Sequence, residues 1–204
     1  MEILVLFDSK GGNVYKLAKE VAEGIRQVKG VEARIRYVKE TTPMEVIRAN
    51  EEWSKFHDFK VNELQEATLD DLTQCEGLAI GSPTRYGNCT PAMGNYLEST
   101  GPLWATGALI GKVAGAFSSS STMHGGNEIT IYTMMVPLAH LGYIIMPMGY
   151  TDPGIMQTER GGTPYGPSSV TGLGGETPTE MEKHVCRTFG KRLAETTKKL
   201  RGNG

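Results

Sequence analysis

Residues 3–14 of the chain read ILVLFDSKGGNV and contain an apolar segment, a short polar loop and the start of a helix. Residues 3–7 form an unbroken apolar run of strand length, which is typical of a central parallel strand covered on both faces. From Val14 to Val28 the apolar residues recur at helical spacing, which predicts an amphipathic helix directly after the loop. This order of elements predicts the first unit of an α/β fold with a parallel sheet.

The loop between this strand and this helix has the composition of an anion-binding site. Gly11 and Gly12 permit backbone conformations that other residues avoid, and they let a ligand approach closely. Asn13 is predicted to cap the helix, Ser9 offers a hydroxyl group, and the first helical turn has free N–H groups. The spacing matches neither G-x-x-x-x-G-K-[ST] nor G-x-G-x-x-G, and it suits a single terminal phosphate such as that of FMN. The same kind of loop also occurs in α/β proteins that bind no ligand.

Composition and length narrow the class of protein. The chain has 204 residues, enough for one full core and too few for two ordinary domains, so residues 1–204 are predicted to form a single domain. A net charge of -2 without a Lys/Arg run gives no reason to expect nucleic acid as a partner. No apolar run reaches the length of a membrane span, and Met1 leads directly into a strand without room for a signal peptide. The cysteines Cys75, Cys89 and Cys186 lack metal-ligand spacing and indicate a reducing cytoplasm, so we predict a cytoplasmic protein without a metal site.

Strand and helix patterns alternate along the rest of the chain. Further strands are predicted at residues 31–38, 77–81, 112–117 and 143–148, and helices at residues 91–97, at 127–141 and from Thr179 onward. With the first strand they give five strands of a parallel sheet that carries helices on both faces. Ligands of such sheets bind beyond the carboxyl ends of the strands, at the switch point in strand order.

Two segments depart from this alternation. Residues 41–66 are polar and are interpreted as a surface helix and loop, with Trp53, Phe56 and Phe59 packing the segment down rather than binding a ligand. Residues 150–178 are rich in Gly and Pro and show no regular period. Because a loop of this length inside a compact domain is usually functional or disordered, we expect it to lie over the pocket mouth or a neighbouring subunit.

Donor-rich loops follow three of the predicted buried strands, at residues 9–13, 82–88 and 118–126. Because the carboxyl ends of parallel strands share one edge of the sheet, we expect these loops to converge on a polar, planar ligand that carries a phosphate. The serine run at residues 118–121 is interpreted as part of this site, because a flexible linker would not separate a buried strand from a helix of the same domain.

The motifs of the chain, in their order, resemble those of the WrbA-type flavoproteins, which are flavodoxin-like NAD(P)H:quinone oxidoreductases. They are S-x-x-G-[NH] from Ser9, GSPTRYGN from Gly81, LW at Leu103 with a following G-x-L-x-G-K, FSS-x-x-T-x-HGGNE from Phe117, LAHLG from Leu138 and RGGTPYG from Arg160. The resemblance covers nearly the whole chain. It implies a flavodoxin-like three-layer sandwich with strand order 2-1-3-4-5, FMN at the switch point, and usually a homotetramer.

The resemblance also assigns roles to individual residues. It implies that the FMN phosphate is held by Ser9, Gly11, Gly12, Asn13 and Val14. The ribityl chain and flavin ring would be lined by Pro83, Thr84, Arg85, Tyr86, Gly87 and Asn88. The third wall would come from Ser118, Ser119, Ser120, Ser121, Thr122, His124, Gly125 and Gly126. Trp104 matches a substrate position and His140 a catalytic position that orients flavin or quinone, and both could be contributed across a subunit boundary.

The activity implied is the two-electron reduction of quinones by NADH or NADPH, through ping-pong hydride transfer with FMN. Many relatives carry an aromatic residue at the position of Gly11, so the choice between NADH and NADPH stays open. A flavodoxin-type one-electron carrier would share the fold and FMN, but such carriers dock through acidic surfaces and the net charge is only -2. A non-enzymatic regulatory or scaffold protein is the third alternative, and it predicts no uptake of FMN.

Overall fold

A computed structural model describes residues 1–202 and places six strands of that part of the chain in one sheet. The strands are β1 (Glu2–Phe7), β2 (Glu32–Tyr37), β3 (Gly77–Pro83), β4 (Val113–Ser120), β5 (Ile144–Ile145) and β6 (Ser168–Val170). All pairs are parallel in the order β2-β1-β3-β4-β5, and β6 pairs with β4 beyond β5. The predicted order 2-1-3-4-5 is therefore confirmed, with one short strand added.

Helices cover both faces of this sheet. They are α1 (Asn13–Arg26), α2 (Met44–Arg48), α3 (Glu51–Glu63), α4 (Leu69–Gln74), α5 (Pro91–Glu98), α6 (Gly101–Thr106), α7 (Asn127–His140) and α8 (Glu180–Gly202). Helices α1 and α8 contribute Leu17 and Phe189 to one half of the core, while α5 and α7 contribute Met93 and Met134 to the other half. The predicted three-layer sandwich is thus confirmed. Within residues 1–202, every helix is too short or too polar to cross a membrane.

Strand β1 is buried on both sides, as its unbroken apolar sequence predicts. Ile3, Val5 and Phe7 point to the α1 and α8 side of the sheet, and Leu4 and Leu6 point to the α5 and α7 side. All five side chains are fully buried. Because alternate residues of a strand face opposite sides, only a run without polar interruptions can satisfy both halves of the core.

Helices α1 and α8 cross at two glycines. A Cβ atom on Gly190 would overlap the backbone carbonyl of Val21, and one on Gly24 would overlap the carbonyl of Arg187. The backbones therefore approach more closely than side chains at these positions would allow. This crossing fixes α8 against the helix that follows the loop after β1.

The last strand is shorter than its apolar sequence predicts. The pattern favours a strand over residues 143–148, but β5 contains only Ile144 and Ile145. The reason lies in its neighbour, because the second half of β4 pairs with β6, with Ser118 opposite Ser168. Segment 150–178 thus supplies a strand of the sheet, and it also contains a 3₁₀ turn at Pro153–Gln157.

The polar segment 41–66 folds into α2 and α3 and packs against the start of α1. The rings of Phe56 and Phe59 lie 5.7 and 5.5 Å from the ring of Tyr15. The ammonium nitrogen of Lys10 lies over the ring of Trp53, 4.7 Å from the ring centroid. The prediction that these aromatic residues pack the segment down is confirmed.

Candidate functional site

A cleft of about 340 Å³ opens at the carboxyl ends of β1, β3 and β4. Its lining residues come from the three predicted loops and from two further segments. They are Ser9, Lys10, Gly11, Asn13, Val14, Glu52, Pro83, Thr84, Arg85 and residues 119–121 and 171–175. The structure thus brings the ends of three neighbouring strands to one cleft of the size that small ligands occupy.

The loop after β1 presents unpaired backbone donors. Gly12 has a φ of 87° and caps α1, so the helix begins at Asn13. The prediction that Asn13 is the capping residue is wrong, because the positive φ of Gly12 turns the chain one residue earlier. The backbone N–H groups of residues 10–15 donate no hydrogen bond to any residue in the range 1–202. Free N–H groups at the positive end of a helix favour an anion.

The loop after β3 is fixed by the Thr84 hydroxyl group. Its oxygen donates to the carbonyl of Gly125 at 2.9 Å, and it accepts from the hydroxyl of Thr130 at 2.8 Å and from the amide of Gly87 at 3.2 Å. Pro83, Thr84 and Arg85 reach the cleft. This network ties the second loop to the third loop and to α7.

The other three residues of this loop form a tight turn outside the cleft. The amide of Arg85 donates to the carbonyl of Asn88 at 2.8 Å, and the amide of Asn88 donates back at 3.0 Å. At the tip, Tyr86 has a φ of 54° and is fully exposed, and Gly87 has a φ of 81°. Tyr86, Gly87 and Asn88 therefore do not line the cleft of a single chain.

Part of the serine run belongs to strand β4 rather than to a loop. Ser118 is fully buried and donates from its hydroxyl to the carbonyl of Ser82 at 2.9 Å. Ser119 accepts a hydrogen bond from the Ser169 hydroxyl at 3.0 Å, and Ser120 donates to the carbonyl of Thr122 at 2.8 Å. These bonds make the run rigid up to Ser120, and the cleft-lining part is residues 119–121.

The end of the third loop lies beside the second loop. Thr122 and His124 are exposed, while Gly125 and Gly126 are half-buried. A Cβ atom on Gly126 would lie 3.3 Å from the Cα of Gly87, so the two loops touch through glycine backbones. Of the residues predicted here, the structure brings Gly125 and Gly126 to the second loop and leaves Thr122 and His124 at the surface.

Buried charges lie beneath the loop after β1. Lys10 donates from its ammonium group to both carboxylate oxygens of Glu40 at 3.0 Å and lies 3.4 Å from Asp8. Lys60 is fully buried, 3.5 Å from Glu40 and 4.0 Å from Asp8. The ammonium group of Lys10 is therefore directed at carboxylates, and the cradle of residues 10–15 is formed by neutral amides.

The pKa of Glu40 reflects this setting. Burial acts to raise its pKa, but the amide of Thr42 and the ammonium groups of Lys10 and Lys60 outweigh burial and lower the pKa to about 2. Glu40 is ionised at neutral pH and keeps Lys10 in place.

Two parts of the cleft are not among the individually predicted residues, although the first belongs to segment 150–178, which we expect over the pocket mouth or a neighbouring subunit. Residues 171–175, with the sequence TGLGG, follow β6 and line the cleft beside residues 119–121. Their composition is similar to that of the loop after β1 and could have indicated a ligand-lining segment. Glu52 reaches the cleft from α3, and its sequence context carries no comparable signal.

Trp104 and His140 lie together, but away from this cleft. Both line an apolar depression of about 410 Å³ with Val136, Pro137 and Leu141 among its other residues. The two depressions share no lining residue. Trp104 is 64% exposed, so its ring is open to solvent in one chain. In a single chain the structure does not bring the predicted substrate and catalytic residues to the cleft.

The strand order, with a cleft at the switch point between β1 and β3, defines a flavodoxin-like protein. Solved structures of flavodoxins share this fold. One is a WrbA-like flavodoxin from Agrobacterium tumefaciens, which has a TM-score of 0.69 and 17% sequence identity. The match covers 97% of this chain and 98% of the Agrobacterium chain. Another is an archaeal flavodoxin, which has a TM-score of 0.62 and 21% sequence identity. The match covers 97% of this chain and 99% of the archaeal chain.

Sequence comparison gives the family. The profile of NADPH-dependent FMN reductases matches residues 1–151, and the chain belongs to that family. A Geobacter metallireducens protein named NAD(P)H dehydrogenase (quinone) is 40% identical, over 99% of this chain and 100% of its own length. A Syntrophobacter fumaroxidans protein of the same name is 38% identical over 100% of both chains. The resemblance inferred from the motifs is confirmed.

Proposed function

We propose that the protein is an FMN-dependent NAD(P)H:quinone oxidoreductase. The observation that carries this proposal is the row of unpaired amides at residues 10–15. These amides follow β1 and lie at a cleft that is shared with the loops after β3 and β4. The family and the names of the full-length relatives support NAD(P)H as the reductant and a quinone as the oxidant.

The residues present fit a phosphate monoester. Gly11 and Gly12 have no side chain to obstruct the amides, and Ser9 and Asn13 add short polar side chains. We assign the phosphate to residues 9–14. Neutral donors suit this task because they bind a dianion through aligned N–H groups and the helix dipole without needing an ion pair.

The rest of the cleft would hold the ribityl chain and the flavin ring. Pro83, Thr84 and Arg85 line the cleft next to residues 119–121, and the Thr84 hydroxyl ties their loop to Gly125 at the end of the third loop. When bound, FMN supplies the hydride chemistry between NAD(P)H and quinone. The protein orients the ligands in the cleft, which residues 171–175 also line.

We also propose a homo-oligomer, with a tetramer as the assembly to test. Tyr132 and Val136 of α7 are 54% and 52% exposed, and both line an apolar depression that also includes Tyr165 from segment 150–178. An exposed apolar patch of this kind favours a protein contact. A second copy covering it is one way to bring Trp104 and His140 to the cleft of a neighbouring chain, where they would contact the flavin ring and quinone.

The proposal is tested by adding FMN to the apoprotein and following flavin fluorescence, then measuring oxidation of NADH and NADPH with benzoquinone as acceptor. We expect saturable uptake and steady-state turnover. Bound FMN without turnover would instead favour a one-electron carrier, and no uptake would favour a regulatory or scaffold protein. Size measurement of the loaded protein tests the tetramer.

Two further expectations belong to this proposal. We propose that residues 1–204 form one domain. Each half of the core combines residues from the first, middle and last thirds of the chain, and both halves pack on the same sheet. We also propose a cytoplasmic location, where the free thiols of Cys75, Cys89 and Cys186 stay reduced.

A further inference from the structure

Glu52 places a carboxylate directly beside the phosphate loop. A Cβ atom built on Gly11 would lie 2.8 Å from both Cδ and Oε1 of Glu52 and 3.2 Å from Oε2. On the other side of the cleft, a Cβ atom on Gly175 would lie 3.9 Å from both carboxylate oxygens. The carboxylate thus lies between two segments that line the same cleft.

The packing of α3 holds the backbone of Glu52, while its side chain is exposed. Asn50 caps the helix by accepting a hydrogen bond from the amide of Trp53 at 2.9 Å. One turn beyond Glu52, Phe56 contacts the loop, since a Cβ atom on Gly12 would lie 2.9 Å from its ring. At the far end of the helix, Lys60 is fully buried beside Glu40 and anchors α3 from below.

The Glu52 carboxylate is free to act on a ligand. No hydrogen bond or ion pair joins it to another residue of the range 1–202, and the amides of residues 10–15 do not donate to it. The nearest candidate cation in the loop, Lys10, is held by Glu40 and Asp8. Arg85 also lines the cleft, but its guanidinium donates to the carbonyl of Thr84 at 2.7 Å, so among residues 1–202 no cation is paired with Glu52.

We propose that Glu52 determines flavin specificity by repelling the phosphate group of FMN, so that it lowers the preference of the cleft for FMN over riboflavin. This inference rests on the proposed function, in which residues 9–14 hold that phosphate. Riboflavin has the same ring and ribityl chain but no phosphate, so the carboxylate has no charge to repel in it. A phosphate bound by neutral amides is sensitive to such a charge, because the amides themselves carry no opposite charge to offset the repulsion.

The test compares Glu52→Gln with Glu51→Gln. Glu51 is the adjacent residue in the first turn of α3, is exposed, pairs with Lys55 at 2.5 Å and does not line the cleft. Both variants remove one acidic residue from the same helix N-terminus, so both lose its favourable interaction with the helix dipole. Dissociation constants of the apoprotein for FMN and for riboflavin are measured by quenching of flavin fluorescence, at low and at high salt.

We expect Glu52→Gln to bind FMN about tenfold more tightly at low salt, as Coulomb repulsion across a water-filled cleft predicts. The gain should fall to about twofold at 1 M salt, where the screening length is about 3 Å. Riboflavin affinity should not change, and Glu51→Gln should match the wild type with both flavins.

Three results would overturn the inference. They are an unchanged FMN affinity in Glu52→Gln, an equal gain for FMN and riboflavin, and weaker FMN binding, which would make Glu52 a hydrogen-bond acceptor for the ligand. Binding of FMN by the wild type in each of these cases would leave the proposed function intact. A wild-type protein that takes up no FMN would overturn the proposed function and this inference together.

Discussion

The Thr84 hydroxyl donates a 2.9 Å hydrogen bond to the carbonyl of Gly125 and thereby joins the loops that follow β3 and β4. The same oxygen accepts hydrogen bonds from Thr130 and Gly87. One side chain thus fixes the positions of these two loops relative to each other, although they are about forty residues apart in sequence.

Thr84→Val should loosen the contact between the loops after β3 and β4. Valine has nearly the same shape, but it leaves the donors of Thr130 and Gly87 and the acceptor of Gly125 without a partner, at a cost of about 1–3 kcal/mol. We expect about tenfold weaker FMN binding, measured by isothermal titration calorimetry. Thr84→Ser keeps the hydroxyl and should retain wild-type affinity. Equal affinity in the valine variant would show that the contact does not position the site.

Glu182→Gln should loosen segment 150–178. The Glu182 side chain is buried and accepts from the amides of Gly161 at 3.0 Å, Val170 at 2.9 Å and Thr179 at 2.7 Å. Because glutamine turns one acceptor into a donor facing an amide, we expect a loss of about 2–3 kcal/mol in the free energy of unfolding, measured in urea. Glu180→Gln, an exposed carboxylate in the same helical turn, should change it by less than about 0.5 kcal/mol. Similar losses in the two variants would contradict this role.

Gly190→Ala should destabilise the crossing of α1 and α8. The added methyl group would overlap the carbonyl of Val21, which is backbone and cannot move aside. We expect the free energy of unfolding to fall by about 2–3 kcal/mol, as in other overpacked cores. Gly94→Ala in α5 is the matched control, since a Cβ atom there meets nothing within 4 Å, and its higher helix propensity should add up to about 1 kcal/mol. Thermal unfolding distinguishes the two, and stabilisation by both changes would refute the close crossing.

Glu40→Gln should lose stability in a pH-dependent way. The pKa of Glu40 is lowered from its ordinary 4.5 to about 2, so its contribution is complete above pH 4.5 and is lost as the pH falls toward 2. At pH 7 we expect the variant to be less stable by up to about 3 kcal/mol, and the difference should shrink below pH 4.5. Urea unfolding across this range checks the trend, with the exposed Glu63→Gln as control. A difference independent of pH would rule out the ion pairs as its cause.

The sequence predicted the fold through local burial. The apolar run of β1 and the helical spacing of α1 each report which sides of an element are buried, and that information is contained in neighbouring residues. The same holds for the positions of the three loops, because each follows directly from the end of a buried strand. The helix cap was misplaced by one residue, since the conformation of Gly12 depends on backbone angles that residue type does not specify.

What the amino-acid sequence determined by itself is therefore the alternation of strands and helices, the family and the loops at which a phosphate ligand is expected. Only the tertiary structure decided that β6 replaces the second half of β5, that Glu52 and residues 171–175 reach the cleft, and that Trp104 and His140 lie elsewhere on one chain. The physical reason is that periodicity records whether a residue is buried. The partner that buries it is chosen by packing between segments far apart in the chain.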